Sequence, residues 1–218
     1  MIQKPEKEND YYYIPELKEW FPRVTQVLKI ISKGEAFENW LRNKGQESKT
    51  LLSDAGDIGT SLHNRLEEIG KGIKINKDAL KERERLWVEE FEVWQNENVS
   101  RFIETERTVF NAVDGYAGTL DSLVELKDKR IALLDYKTTK YIYDTHELQV
   151  VAYLRAYEQM FKIKIDTAFI LNFSKENKTK FLTIKEVKDI SGQYEIWLHA
   201  LKLWYWKFGK YQESKTNV

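Results

Sequence analysis

Cysteine is missing from the 218-residue chain, and its absence excludes disulfide frameworks, thiolate zinc sites, iron–sulfur clusters and a cysteine nucleophile together. An excess of either charge is missing too. The 35 basic and 35 acidic side chains cancel, so there is no uniformly basic coat and any polyanion must bind a local patch. No run approaches the roughly 20 apolar residues that a membrane helix needs. The stretch from Met1 to Glu8 lacks the apolar core of a signal peptide. These absences lead to the expectation of a cytoplasmic protein with no membrane partner, in a bacterial, archaeal or phage-infected cell, with a mitochondrial setting left open. With three prolines, ten glycines, no internal repeat and no low-complexity linker, no domain boundary stands out.

What is present is core-building material. Hydrophobic residues make up 42% of the chain, enough for one large domain to fold unaided. The reading is a single domain over residues 1–218, with a mainly helical part over about 1–98, a sheet core over about 99–185 and a C-terminal helix over about 190–210. From Val24 to about Gly72, apolar residues recur every three or four positions, as in Val27, Leu28, Ile31 and later Leu62, Leu66, Ile69. This spacing predicts helices broken near Gly34 and Gly45. A further helical period through Leu86, Trp87, Phe91 and Trp94 ends at a turn-like segment, residues 96–98.

The period then falls to two. Residues 101–110 alternate, Asp114-Gly115 marks a turn, and 116–126 and 131–137 complete a meander. Asp144 with Glu147 reads as a capping pair ahead of an amphipathic stripe through Leu148, Val151, Ala152 and Tyr157. Strands are expected over 165–173 and 180–184 around a turn at 174–178, then a helix over 194–208. This order predicts the α/β class, a mixed central sheet flanked by helices.

Asp135-Tyr136-Lys137 ends the most apolar strand, and residues two apart on a strand share a face roughly 6 to 7 Å apart. A carboxylate and an ammonium therefore point to one spot. Asp121 lies on the preceding strand, where hairpin pairing can set its carboxylate beside Asp135. Two carboxylates at one point call for a cation, and hard oxygen ligands suit Mg2+ or Mn2+. Lys137 could then orient or deprotonate an attacking water, or neutralise charge gathering on a phosphate. Taken alone, Asp-x-Lys is a weak signal whose ordinary explanation is a strand-end ion pair.

The surrounding segments, in order, resemble the RecB-like branch of the PD-(D/E)XK nuclease superfamily, whose fold is restriction-endonuclease-like. Gly59-Thr60-Ser61-Leu62-His63 is similar to its Gly-Thr-x-x-His helix, and Glu106 followed by Gly118-Thr119-Leu120-Asp121 to its Glu and Gly-Thr-x-Asp segments. Leu134 to Lys140 is similar to its Asp-Tyr-Lys-Thr core, and Gln149 with Tyr153 to its Gln-x-x-x-Tyr helix. The resemblance spans about Arg23 to Tyr157. It implies metal ligation by His63, Asp121, Asp135 and the carbonyl of Tyr136, with Lys137 as the catalytic lysine. Glu106, Gln149 and Tyr153 are implied as site-organising or DNA-contacting. Relatives that carry an iron–sulfur cluster use four cysteines, so the cluster-free phage and mitochondrial exonucleases are the closer pattern.

For several residues the ordinary reading competes. Glu104 and Glu106 alternate onto one strand face, and the spacing to Gly118–Asp121 favours Glu106. Gly56 and Gly59, about one turn apart, would let the His63 helix approach the sheet closely. Arg65, Lys71 and Lys74 follow His63 and are candidates for guiding phosphates, and Thr138 and Lys140, after Lys137, are candidates for DNA binding or site organisation. Trp197 to Tyr211 mixes lysines with aromatic residues in a composition that suits base stacking, although aromatics at helical spacing are more often core. His146 and His199 are read as structural.

The expectation is a Mg2+- or Mn2+-dependent DNA exonuclease acting on single-stranded ends in recombination, repair or phage genome processing. A separate helicase or recombination protein could accompany it, and the sequence specifies no oligomer interface. The alternatives are an endonuclease or end-trimming nuclease of the CRISPR-associated RecB-like type, and an idle DNA-binding protein of the same fold.

Overall fold

The computed structural model describes residues 6–8, 10–32, 34–174 and 181–209. The N-terminal segment forms an antiparallel meander of β1 (Glu6–Glu8), β2 (Tyr11–Ile14) and β3 (Glu19–Pro22), which the sequence reading does not contain. Tyr12 and Ile14 alternate inward and pack with Phe21 against Ala117 and Phe110 of the main sheet. Tyr12 Oη lies 3.0 Å from Thr119 Oγ1, tying the meander to that sheet.

The expected helices follow. They are α1 (Val24–Val27) with a 3-10 turn over Leu28–Ile30, α2 (Glu35–Lys44), α3 (Glu47–Gly70) and α4 (Glu82–Asn98). Gly34 and Gly45 bound α2 with φ of 88° and 51°, conformations that favour glycine and stop helical propagation. The turn expected at 96–98 does not form. Asn98 instead donates to the Trp94 carbonyl at 2.8 Å, so α4 runs to its last residue and β4 (Val99–Asn111) starts at once.

β4 is followed by β5 (Tyr116–Leu126), β6 (Ile131–Lys137), α5 (Asp144–Phe161), β7 (Thr167–Phe173), β8 (Leu182–Glu186) and α6 (Ile190–Phe208). The sheet order is β4-β5-β6-β7-β8, with β6 and β7 parallel and the other pairs antiparallel. This is the mixed sheet flanked by helices that the element order predicts. Asp144 is not the cap of α5: the Tyr143 N–H donates to His146 Nδ1 at 3.3 Å, and Glu147 pairs with Lys185. α6 starts before residue 194 because Asp189 accepts the Gly192 N–H at 2.9 Å, an N-cap. The turn beyond Ser174, the strand start at Lys180, and Lys210 and Tyr211 of the aromatic tail lie outside the described residues.

Side chains alternate from β6 into two cores. Leu133 joins α1, α5 and α6 through Val27, Val151, Leu154, Trp197 and Trp204. Ala132, Leu134 and Tyr136 join α3 and α4 through Leu62, Leu66, Trp87 and Phe91. A strand covered on both faces reads as a continuous apolar run, so the polar residues at its end stand out. Trp197 and Trp204 are core, whereas Trp206 is 82% exposed. Among the described residues no helix is long and apolar enough to cross a membrane.

Candidate active site

Three elements meet at the C-terminal end of β6. α3 lies close to the sheet at two glycines: a Cβ at Gly70 would fall 2.5 Å from Thr105 Cγ2, and one at Gly59 would fall 3.2 Å from Thr138 Oγ1. Gly56 is different, since a Cβ there meets nothing within 4 Å, so Gly59 and Gly70, not Gly56, set the approach. Between them α3 carries Leu62 and Leu66 into the core and turns His63 toward the strand end. His63 Nε2 lies 2.9 Å from the Tyr136 carbonyl oxygen, and Nδ1 lies 3.3 Å from Asp121 Oδ1.

The register of β5 and β6 pairs Ser122 with Leu134, which places Asp121 beside the end of β6. Its Oδ2 accepts the Tyr136 N–H at 2.6 Å. Glu106 comes from β4 by an irregular path. The strand has a register shift between Phe102 and Glu104, and Glu106 adopts φ 48°. A left-handed non-glycine residue inside a strand is strained and concentrates at functional sites. Alternation leaves Glu104 and Glu106 equivalent, but the structure separates them. Glu104 lies 3.9 Å from Arg107, while His63, Glu106 and Asp121 present ligand atoms within 4.8 Å of one another.

Asp135, expected in the same ligand set, stands in an adjoining cluster. It is fully buried, with Lys137 Nζ 2.5 Å from Oδ2 and Gln149 Nε2 donating to Oδ1 at 3.3 Å. Oδ2 has this charge partner but no well-directed hydrogen bond. Gln149 Nε2 also donates to Tyr153 Oη at 3.2 Å. Tyr153 is itself buried over Gly118, where an added Cβ would fall 2.4 Å from its ring. The glycine of the Gly-Thr-x-Asp segment thus seats the tyrosine of the Gln-x-x-x-Tyr segment. Tyr136 points its ring to the opposite core and donates its hydroxyl to Ser122 Oγ at 2.9 Å.

The electrostatics follow from burial and crowding. Burial disfavours the His63 imidazolium, but Asp121 and, more weakly, Asp135 outweigh it and hold its pKa at about 9. Burial, then the Asp121 carboxylate, pushes Glu106 up to about 7. Burial also pushes Asp135 up to about 6 against the pull of Lys137, with Asp121 adding to the rise. For Asp121 burial is overcome by His63, Lys137 and the Tyr136 N–H, which hold its carboxyl below the usual range.

The remaining candidates are placed as follows. Arg65 is partly exposed and pairs with Glu68 at 2.9 Å and Glu84 at 3.8 Å. Lys71 pairs with Glu67, and Lys74 is exposed. Thr138 lies against Gly59, and the Lys140 ammonium lies 5.4 Å from the Tyr141 ring centroid. His146 serves the start of α5, and His199 Nδ1 contacts the Glu195 carbonyl. One residue that the sequence reading missed is Asn172. It is in register with Lys137 on β7 and binds the backbone of Thr139 in both directions, at 3.1 and 3.0 Å. A polar residue near the end of an otherwise buried strand, Thr167–Phe173, was the available signal.

The donor set fits a divalent cation. Two carboxylates and an imidazole converge, and the crowding of Glu106 by Asp121 is the repulsion such an ion would relieve. No family model matches the chain, and comparison with curated proteins gives no match. Among solved structures the chain is similar to a candidate exonuclease from Eubacterium rectale, at 12% identity and TM-score 0.48, covering 72% of this chain and 68% of that one. It is also similar to an alkaline exonuclease from Laribacter hongkongensis, at 14% identity and TM-score 0.38, covering 88% and 93%.

Proposed function

We propose that the chain is a divalent-metal-dependent nuclease of the restriction-endonuclease-like PD-(D/E)XK kind, hydrolysing DNA from single-stranded ends. The observation that carries this reading is the convergence of His63, Glu106 and Asp121 beside a buried Asp135–Lys137 pair. Neither cluster alone would separate a nuclease from an ordinary ionic network.

His63, Glu106 and Asp121 would hold Mg2+ or Mn2+, with the Tyr136 carbonyl beside His63 and Asp135 next to them on β6. A cation held there would supply Lewis-acid stabilisation of charge on the phosphate and a more acidic water. Lys137 places an ammonium where negative charge gathers, and orients or deprotonates the attacking water. Asp135 holds that ammonium, Gln149 holds Asp135, and Tyr153 over Gly118 holds Gln149. His63 gives up its proton when it ligates, since only the neutral ring binds metal.

The test is cleavage of single-stranded DNA labelled at either end, in Mg2+, Mn2+ or chelator, by the wild type and by Asp135→Ala and Lys137→Ala. Metal-dependent shortening from one end, lost in both variants, is expected. No cleavage in any condition, or equal cleavage by the variants, overturns the reading. Circular single-stranded substrate, which an exonuclease leaves intact, separates exonuclease from endonuclease.

A further inference from the structure

We infer that the segment just after Lys137 is a base-stacking platform for the unpaired strand that enters the site, with Tyr141 and Tyr143 as the stacking residues. The inference rests on the nuclease reading for the identity of the strand.

Tyr141 is 59% exposed and Tyr143 is 45% exposed. Large aromatic surface left in water is unfavourable, and here it is concentrated within three residues. The segment lies against the site by covalent connection. Tyr141 follows Lys137 by four residues, and four residues reach about 14 Å at most. A strand whose phosphate is at Lys137 therefore has its neighbouring nucleotides within range of the Tyr141 ring, with Tyr143 two residues further along.

Although it lacks regular secondary structure, the segment is held in place. The buried Asn172 side chain accepts the Thr139 N–H at 3.1 Å and donates to the Thr139 carbonyl at 3.0 Å. The Thr139 hydroxyl donates to the Tyr141 carbonyl at 2.7 Å. Tyr143 stands edge-on to His146, ring centroids 5.4 Å apart, and Ile142 between the two tyrosines packs on the core. A preorganised aromatic surface binds with less ordering cost than a mobile one.

The charge matches the same occupant. Lys140 sits over one side of the Tyr141 ring, so positive charge lies beside exposed aromatic surface, the combination found where proteins track a phosphate backbone and stack its bases. Every base has a π-face, so this surface distinguishes unpaired from paired strands and does not read sequence. In a duplex the faces are already stacked on each other.

The experiment compares wild type, Tyr141→Ala, Tyr141→Phe and the double variant Tyr141→Ala/Tyr143→Ala. It uses a single-stranded oligonucleotide and an abasic one of equal length, with cleavage in Mg2+ and binding in chelator. KM for the base-bearing strand is expected to rise about tenfold in Tyr141→Ala and further in the double variant, with kcat within about twofold and Tyr141→Phe like wild type. On the abasic strand all four proteins should be alike. Unchanged KM and binding in the double variant overturn the platform while leaving the nuclease reading intact. A variant that changes the sedimentation of the protein instead of KM also overturns it, by showing that the tyrosines contact a second copy. If no protein cleaves, but binding to the base-bearing strand alone falls in the alanine variants, the platform stands and the nuclease reading fails.

Discussion

Two charged clusters share the end of β6, and they differ in whether their charges close among themselves. Asp135 and Lys137 form a one-to-one pair, buried, with Gln149 supplying the remaining hydrogen bond. His63, Glu106 and Asp121 bring two carboxylates to one imidazole, so one negative charge is in excess when all three are ionised. The first arrangement has its counter-charge in place, although Asp135 Oδ2 lacks a well-directed hydrogen bond. The second includes the strained φ of Glu106, whose carboxyl is pushed up to about 7 by burial and then by the Asp121 carboxylate. Strongly perturbed titratable groups of this kind cluster at functional sites.

Substitutions should therefore act differently on the two clusters. The largest effect is expected for Lys137→Ala, a fall of about 1,000-fold in kcat with metal binding retained, measured by single-turnover cleavage. Retention of activity would move Lys137 out of the reaction and into simple ion pairing. Next, Glu106→Gln should weaken Mn2+ binding by about 10- to 100-fold, the range found when a group that supports a metal site is removed, as read by calorimetric titration. Glu104→Gln, on the same strand but paired with Arg107, should leave binding unchanged.

Gly118→Ala tests the connection between the clusters through packing. The new methyl group would fall 2.4 Å from the Tyr153 ring, and overpacking of this kind destabilises by about 1–3 kcal/mol. Chemical denaturation should show that loss, and combining Gly118→Ala with Tyr153→Leu should restore part of it. Full stability in the single variant would mean that the ring can move without consequence.

The smallest effect is a pH slope of the metal-free protein. Folded His63 keeps its proton to about pH 9 against an ordinary 6.5, and folded Glu106 to about 7 against 4.5. Across that window the folded chain binds more protons than the unfolded one, so stability falls as pH rises. The His63 contribution is complete below about 6.5 and is lost through 9. Asp121 acts in the opposite sense, but only below its ordinary 3.8. Melting temperatures in chelator should drop between about pH 4.5 and pH 9, and excess Mn2+ should oppose the drop because ligation needs the deprotonated groups. A flat profile in chelator would show that these groups titrate as they do in the unfolded chain.

Much of this arrangement was legible in the sequence, and the exceptions have physical reasons. The ends of β5 and β6 were readable because turn residues bound them and a doubly covered strand is uniformly apolar. The first meander was not, since Tyr11–Ile14 and Glu19–Pro22 are four residues each, too short for a period to register. Alternation could not distinguish Glu104 from Glu106, because the difference depends on a register shift and one left-handed residue. Arg65 reads as a free cation in sequence, and only the packing of α3 on α4 supplies Glu84 as its partner. Gly118 and Tyr153 appear in separate motifs 35 positions apart, and their contact exists only in three dimensions.

The proposed metal site is the group His63, Glu106 and Asp121, with Asp135 beside it at the end of β6. Manganese binding followed by electron paramagnetic resonance, for wild type, Asp121→Asn and Lys137→Ala, tests it most directly. Asp121→Asn is expected to abolish the bound signal while Lys137→Ala keeps it. Binding that survives Asp121→Asn, or that disappears in Lys137→Ala, would contradict it.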